Sequence, residues 1–164
     1  MSLAGEISLF LDGHRTQLAS TARALAAANS IDVSSFEELL QGIGNQPGRS
    51  FVYLQIMPRS DVGAFVKSPQ LMGSVFNAVD DAVIAAHETA LTGERVEDVL
   101  LDLPGNDTPK AVFSFPLRSR SNEVEGTLTG VVDLGPLQDG LMANTYSGLL
   151  VSVVDGGGRV VISS

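Results

Sequence analysis

The sequence contains no cysteine among its 164 residues. Without thiols the chain cannot form a disulfide framework, a zinc site with thiolate ligands or a cysteine nucleophile. Tryptophan is also absent, and histidine occurs only twice. The lack of cysteine leaves the compartment open, because cysteine-free domains suit both oxidising and reducing surroundings.

Positive charge is scarce as well. Ten Lys and Arg residues stand against 19 Asp and Glu, for a net charge of -9, and none of the ten lies between Lys67 and Arg95. A protein that binds a nucleic-acid backbone or an anionic lipid surface needs clustered basic side chains. We therefore expect neither partner for this chain.

Long apolar runs are missing too. No stretch approaches the roughly 20 apolar residues that a membrane-spanning helix requires. The composition of 44% hydrophobic and 18% charged residues is typical of a folded globular protein. The length suits one domain with a sizeable buried core.

Two strand-length runs between residues 110 and 137 dominate the pattern of the chain. Side chains alternate along a strand with period two, so each run has one apolar face and one mixed face. The apolar positions are Phe113, Phe115, Leu117, Leu128 and Val132. The mixed faces carry Val112, Ser114, Pro116, Arg118, Thr127, Thr129, Val131 and Asp133. We predict an antiparallel pair joined by a solvated loop over residues 119–125.

Further elements follow from apolar spacing and from Gly and Pro breaks. Helices are predicted over residues 3–29, just after 34, over 74–91 and over 137–143. Strands are predicted over residues 51–57, 64–67 and 96–103, and a final hairpin over 148–164. This order indicates an antiparallel sheet with helices gathered on it, which is an α+β fold.

The long first helix carries Leu11, Leu18 and Leu25 at intervals of seven residues. Such spacing gives an apolar stripe along one side of a helix. The first interpretation is that this stripe packs on the sheet. The second is that part of it forms a parallel dimer interface. Both can hold at different heights along the helix.

The sequence offers no set of residues suited to catalysis. His14 and His87 lie in predicted helices, far from any glycine-flanked serine, and both are expected to be solvated or hydrogen-bonded surface histidines. Asp80 and Asp81 are adjacent and so diverge on a helix, with Glu88 also placed on the solvent side. We expect no catalytic residue, no metal site and no cofactor.

A small-molecule pocket is easier to derive than a catalytic centre. In the strand over residues 51–57, Val52, Leu54 and Ile56 form an apolar face, and Phe51 falls on the mixed face. If the mixed faces of three strands converge beneath the helix over 74–91, they form an apolar cavity with a few directional polar groups. The candidate ligand-binding residues are Tyr53, Gln55, Met57, Lys67, Ser114, Arg118, Thr127 and Thr129.

Arg118 and Lys67 are the candidate partners of a ligand carboxylate. The alternative is that threonine is simply a good strand former and that Arg118 points to water.

Several segments together resemble the Cache and CHASE type of extracytoplasmic sensor domain in bacterial receptors. They are the long first helix, FVYLQIMPRSDVGAFVKS, ETALTGE, VFSFPLRSRSNEVEGTLTGVVDLGPL and LLVSVVDGGGRVVISS. The resemblance implies a PAS-like central antiparallel sheet, with the long N-terminal helix on one face and shorter helices and loops on the other. It also implies a sensor domain over residues 1–147, followed by a terminal hairpin over 148–164 that begins a membrane-proximal segment.

The same resemblance implies a function. The domain would bind a small molecule on the periplasmic or extracellular side of the bacterial inner membrane and signal through a homodimer of N-terminal helices. The output would be a histidine kinase, a diguanylate cyclase or a chemoreceptor, and the membrane would be reached only through flanking segments.

One departure from the family is informative. Its amino-acid-binding members use a Tyr, Arg, Trp and Asp signature, which this chain cannot satisfy because it has no Trp and only two Tyr. The alternative hypothesis is a cytosolic PAS- or GAF-like regulatory module that dimerises without a ligand.

Overall fold

The computed structural model describes residues 3–27, 51–59, 73–100, 103–106, 108–144, 152–154 and 158–163. The helices are α1 (Leu3–Ala27), α2 (Gly73–Ala90) and α3 (Gly135–Asn144), with a 3-10 turn at Pro104–Asn106. The strands are β1 (Phe51–Pro58), β2 (Val96–Leu100), β3 (Lys110–Arg118), β4 (Val124–Asp133), β5 (Ser152–Val154) and β6 (Val160–Ser163). The helix predicted after residue 34 and the strand predicted over 64–67 lie outside the described residues.

Four strands form one sheet in the order β1-β4-β3-β2, and every neighbouring pair is antiparallel. The β3–β4 hairpin is therefore the centre of the sheet. Strands β5 and β6 pair separately as a two-stranded sheet. The α+β class and the antiparallel sheet predicted from the sequence are confirmed.

The turn between β3 and β4 is shorter than predicted. Strand β4 begins at Val124, so Val124 and Glu125 belong to the strand and not to the loop. The turn is closed by the amide of Ser119 donating to the carbonyl of Glu123 at 2.8 Å. Asn122 adopts a positive φ of 68°, a conformation that Asn tolerates better than most residues. The tight turn lets Val124 pair with Arg118, and the register then skips Glu125 before Gly126 pairs with Leu117.

Helix α1 covers one face of the sheet. Its buried side chains include Leu18 and Leu25, which pack on Phe113, Phe115 and Leu128. Each large apolar side chain buried in this way contributes about 1.5–3 kcal/mol. The interpretation that the leucine stripe packs on the sheet is confirmed for Leu18 and Leu25.

Helix α2 covers the opposite face. The spacing of Val79, Val83, Ala86 and Ala90 predicted this side of the helix, and all four side chains are buried. After Ala90, Gly93 takes a positive φ of 99° and its amide donates to the carbonyl of Ala90 at 2.9 Å. A glycine in this conformation is a common way to end a helix.

Strand β1 contains a bulge that reverses one predicted face. Phe51 is opposite Val132, whereas Tyr53 is opposite Val131, so one extra residue is inserted between them. As a result Phe51 packs in the cluster under α1, and Val52 packs with Tyr53 toward α2. The prediction that Val52 shares a face with Leu54 was wrong, as was the placement of Phe51 on the mixed face, because strict alternation fails across a bulge.

The last elements join the α1 side of the sheet. Leu141 of α3 and Val161 of β6 both belong to the core cluster under α1. The shorter helices are therefore divided between the two faces. At the start of α3, the buried amine of Lys110 donates to Thr108 and to Asp133 at 2.8 and 3.2 Å.

His14 is buried and not solvated, contrary to the prediction. It is 7% exposed, lies between the rings of Phe10 and Phe51 at 4.5 and 4.9 Å between centroids, and donates from Nδ1 to the carbonyl of Phe10 at 2.7 Å. The next residue, Arg15, holds α1 to β2 through both carboxylate oxygens of Glu97, at 2.6 and 2.8 Å.

Candidate ligand-binding site

The register of the sheet brings the predicted site residues into rows. Gln55 of β1 is opposite Thr129 of β4, and Thr129 is opposite Ser114 of β3. Directly opposite residues of an antiparallel pair lie on the same face. Tyr53 and Thr127 project to this face as well, because they are two residues from Gln55 and Thr129 respectively. All five face α2.

We call these five residues, Tyr53, Gln55, Ser114, Thr127 and Thr129, the polar layer. Each of them is at most 1% exposed. Buried polar groups are costly unless they find hydrogen-bond partners. The hydrogen-bond partners of these five residues therefore decide whether the polar layer can serve as a binding site.

Hydrogen bonds run across the polar layer and up to α2. The hydroxyls of Ser114 and Thr129 are 2.8 Å apart. The hydroxyl of Tyr53 donates to Oδ1 of Asp80 at 2.6 Å and lies 3.0 Å from Oε1 of Gln55. The layer thus combines neutral donors and acceptors with one carboxylate.

The fifth residue of the layer also reaches α2. The hydroxyl of Thr127 is 2.7 Å from Nδ1 of His87, and the tautomer of the imidazole decides which of the two donates. Asp80 and His87 are seven residues apart, which is two helical turns, so both project toward the sheet. The placement of Asp80 on the solvent side of α2 was therefore wrong.

The sequence did contain a signal for both helix residues. Asp80, Val83 and His87 follow the i, i+3, i+7 spacing of one helix face. Charge alone suggested that Asp80 was exposed, whereas its position beside the buried Val83 indicates that it faces the sheet. Asp81 and Glu88, the other two acidic residues of α2, are exposed as predicted.

Burial changes the protonation of two of these groups. Burial and the hydrogen bond to Asp80 raise the pKa of the Tyr53 hydroxyl, so it remains a neutral donor. Burial lowers the pKa of His87, and the nearby carboxylate of Glu88 opposes this effect only in part. The imidazole is therefore more readily neutral than a solvated histidine.

Two further predicted site residues, Met57 and Arg118, stand apart from the polar layer. Met57 is opposite Thr127 and half-buried at the end of the same face. Arg118 donates from its two terminal nitrogens to the carbonyls of Asn122 and Gly93, at 3.0 and 3.1 Å. Its guanidinium lies by the end of β3 and not among the polar layer. Lys67 lies outside the described residues.

Among the described residues, no group of three or more His, Asp or Glu side chains is arranged to hold a metal ion. In the same part of the chain, no helix combines the length and apolar character needed to cross a membrane.

The fold is similar to that of several solved protein structures. The ligand-binding domain of the amino acid chemoreceptor PctC of Pseudomonas aeruginosa, in complex with GABA, aligns with a TM-score of 0.70 and 20% identity. The alignment covers 98% of this chain and 70% of that one. The chain has the fold of a bacterial chemoreceptor ligand-binding domain.

Other chemoreceptor domains give the same result. The ligand-binding domain of Pseudomonas fluorescens CtaA, in complex with L-serine, aligns with a TM-score of 0.65 and 16% identity, over 98% of this chain and 66% of that one. The periplasmic sensory domain of Campylobacter jejuni Tlp1 aligns with a TM-score of 0.60 and 16% identity, over 98% and 68%. This chain thus spans about two thirds of the length of each of these domains.

No protein-family model matches the sequence, and no curated protein sequence matches it either. At identities of 16–20% the likeness is one of fold. The PAS-like architecture implied by the sequence resemblance is confirmed at that level.

Proposed function

We propose that this chain is the ligand-sensing part of a bacterial membrane receptor, located on the periplasmic or extracellular side of the inner membrane. The domain binds a small polar molecule between the sheet and α2, and it carries out no chemistry itself. Two facts support the proposal: the fold is that of chemoreceptor ligand-binding domains, and the α2-facing side of the sheet carries the five buried polar residues of the polar layer.

The main support for this proposal is that the side chains of the polar layer are polar and buried. A sheet face that only supports a helix is normally filled with apolar side chains, because an apolar core needs no hydrogen bonds. Here Gln55, Thr129 and Ser114 form a row of three polar side chains across the neighbouring strands β1, β4 and β3, each at most 1% exposed. Such groups provide the directional donors and acceptors of a small-molecule site.

The ligand would compete with α2 for the hydrogen bonds of the polar layer. Asp80 and His87 already bond to Tyr53 and Thr127, so a guest that bonds to the same groups would separate α2 from the sheet or rearrange it. A ligand shifts a conformational equilibrium only through different affinity for the two states. The ligand would bind more tightly to the state in which α2 has released the polar layer, because the hydrogen-bonding groups are occupied by α2 in the other state.

The proposal also covers the bounds of the sensor and its association into a dimer. We infer that residues 1–147 form the sensor, that residues 148–164 begin the membrane-proximal segment, and that two copies associate through α1. The separate pairing of β5 with β6 supports a boundary near residue 147. In the full gene we expect hydrophobic spans encoded on either side of this segment.

The amino acids bound by the similar receptors, GABA and L-serine, are the first compounds to test. Because the chain lacks Trp, an amino acid would be held by a different set of residues from the Tyr, Arg, Trp and Asp signature. Organic acids, amines and purines complete the panel.

A thermal-shift screen of this panel tests the proposal. A ligand present at about 100 times its Kd adds about 2.7 kcal/mol to the free energy of unfolding, which raises Tm. We expect at least one hit, and we expect Thr129→Val to reduce the shift. Thr16→Val, the same change on the exposed side of α1, serves as the control and should leave the shift intact.

A hit whose shift is equal in Thr129→Val and in the wild type would place the ligand elsewhere. A panel without any hit would favour the alternative function, a regulatory module in which the polar layer only joins the sheet to α2.

A further inference from the structure

A groove opens on the α1 side of the sheet, away from the polar layer. It lies between the second half of α1, the end of β3 and the connection from α2 to β2, and its volume is about 330 Å³. This is the lower end of the size range of small-molecule sites. The groove is lined by Ala19, Ala22, Arg23, Ala26, Gly93, Arg95, Phe115, Pro116 and Arg118.

Three arginines meet at this groove, in a chain with ten basic residues and a net charge of -9. They come from different elements: Arg23 from α1, Arg95 from the residue before β2, and Arg118 from the end of β3. We call this site the arginine groove. Positive charges gathered at a concave site raise the local affinity for an anion.

Two of the three guanidinium groups are held in place. Arg95 lies over the ring of Phe115, 5.6 Å from its centroid, a favourable cation–π distance. Arg118 is held by the carbonyls of Asn122 and Gly93. These two bonds use only two of its five N–H donors.

Gly93 makes room for Arg118. A Cβ at Gly93 would lie 2.6 Å from a terminal nitrogen of Arg118, and the φ of +99° at this position disfavours any side chain. A residue other than glycine would therefore displace the guanidinium. The shape of the groove depends on this contact.

The anion is not supplied by the described part of the chain. There, the ion pairs within 4.0 Å involve Arg15, Lys110 and Arg159, and none involves an arginine of the groove. Glu94, which directly precedes Arg95 in the sequence, is exposed and forms none of these pairs.

We propose that the arginine groove binds a small organic anion, a carboxylate with an apolar body. The fork of N–H donors on a guanidinium matches the two oxygens of a carboxylate. The apolar body would contact Phe115 and the methyl groups of Ala19 and Ala22. The groove is on the opposite side of the sheet from the polar layer, so this site is separate from the one proposed above.

Calorimetric titration of the 164-residue chain with benzoate, formate and inorganic phosphate, at constant ionic strength, tests the proposal. Benzoate carries the carboxylate and an apolar ring, formate lacks the ring, and phosphate offers charge alone. We expect benzoate to bind more tightly than either, because only benzoate uses both the arginines and the apolar lining.

Substitution of a groove arginine tests whether benzoate binds in the arginine groove. Arg23 is exposed and bonds to no described side chain, so Arg23→Gln should fold normally and weaken benzoate binding by about tenfold, the loss of one charge-assisted contact. The matched control is Arg159→Gln, which removes one positive charge from an exposed position on the β5–β6 hairpin. It should leave the affinity unchanged.

Equal weakening by Arg23→Gln and Arg159→Gln would show that only net charge matters and would overturn the proposal. So would the absence of benzoate binding, or phosphate binding that is tighter than benzoate binding. None of these results bears on the polar layer, which Thr129→Val tests independently.

Discussion

Thr129 and Ser114 face each other across the two central strands, and neither is more than 1% exposed. Each hydroxyl has the other as its partner at 2.8 Å. Removing one therefore leaves the second buried without that bond. The energetic consequence differs from that of removing both.

The first prediction concerns this pair. Thr129→Val and Ser114→Ala should each lower the free energy of unfolding by about 1–3 kcal/mol, the cost of an unsatisfied buried polar group. The double variant should cost clearly less than the sum of the two, because no hydroxyl remains unpaired. Urea unfolding of the four proteins measures this coupling, and strictly additive losses would contradict it.

The second prediction concerns His87. Burial lowers the pKa of the imidazole below the ordinary histidine value of about 6.5, so the folded state binds the proton less readily than the unfolded state. The stabilisation is complete above pH 6.5 and is lost as the pH falls from there toward the folded pKa. Substituting His87→Gln should flatten the dependence of Tm on pH in that range.

The residue that could obscure this result is Asp133, whose pKa is also lowered. Burial acts to raise it, but hydrogen bonds from Thr108 and the Gly135 amide, with the charge of Lys110, outweigh burial. The stability that Asp133 contributes is present above the ordinary pKa of an aspartate, about 3.9, and is lost as the pH falls below it, in a separate pH range. Parallel Tm curves for wild type and His87→Gln near pH 6 would refute the assignment to His87.

At the residue scale, the sequence predicted the polar layer but not its partners. Period-two alternation is enough to place Ser114 and Thr129 on one face. The roles of Asp80 and His87 depend on the rotation of α2 about its axis, which charge patterns alone do not determine. His14 was mistaken for a surface residue because the ring of Phe51, which buries it together with its helix neighbour Phe10, belongs to β1 and is distant in the sequence.

At the scale of elements, the contact between α1 and β4 depends on a glycine. A Cβ at Gly130 would lie 2.8 Å from Cδ1 of Leu18 and 2.9 Å from Cε1 of Phe51. Both distances are shorter than normal contacts. The helix can approach the sheet this closely only because position 130 has no side chain.

The third prediction follows from this contact. Gly130→Ala should destabilise the fold by about 1–3 kcal/mol, the usual effect of inserting a methyl group into a packed core. Gly13→Ala is the matched control: a Cβ there meets nothing within 4 Å, and alanine favours a helix by about 1 kcal/mol. The two changes should shift the urea midpoint in opposite directions.

If Gly130→Ala left the midpoint unchanged, α1 would not be in close contact with β4. A second variant checks the cause of any loss. Combining Gly130→Ala with Leu18→Val should recover part of the stability, because it removes atoms that crowd the new methyl group.

Most elements were predictable, and the exceptions have local causes. Helical spacing predicted α2 as residues 74–91, and it spans Gly73–Ala90. The bulge near Val52 was not predictable, since it depends on how β1 pairs with β4 and not on the composition of β1. The early start of β4 depends on the positive φ of Asn122, which permits a turn shorter than its polar composition suggested.

At the scale of the whole molecule, the long helix has a second surface that the sheet does not cover. Leu9 is 65% exposed on α1, in the half of the helix that precedes Leu18. Such a side chain suits an interface between two copies, in agreement with the proposed dimer.

The fourth prediction tests that association. Leu9→Glu should shift the chain toward a monomer without changing Tm of the monomer, because the side chain is already in solvent. The control is Ile84→Glu, which changes a 41% exposed residue on α2 and should leave association unchanged. Light scattering over a range of concentrations measures the effect, and equal behaviour of both variants would contradict an interface at Leu9.

The close approach at Gly130 also limits how α1 can move. Successive residues of a helix are spaced by about 1.5 Å along its axis, so a piston-like displacement of one residue or more would carry Leu18 away from Gly130, against which it packs. Sliding α1 against the sheet would therefore break the packing. For the proposed signal along this helix, we therefore expect the helix and the sheet to tilt or turn together as one rigid body.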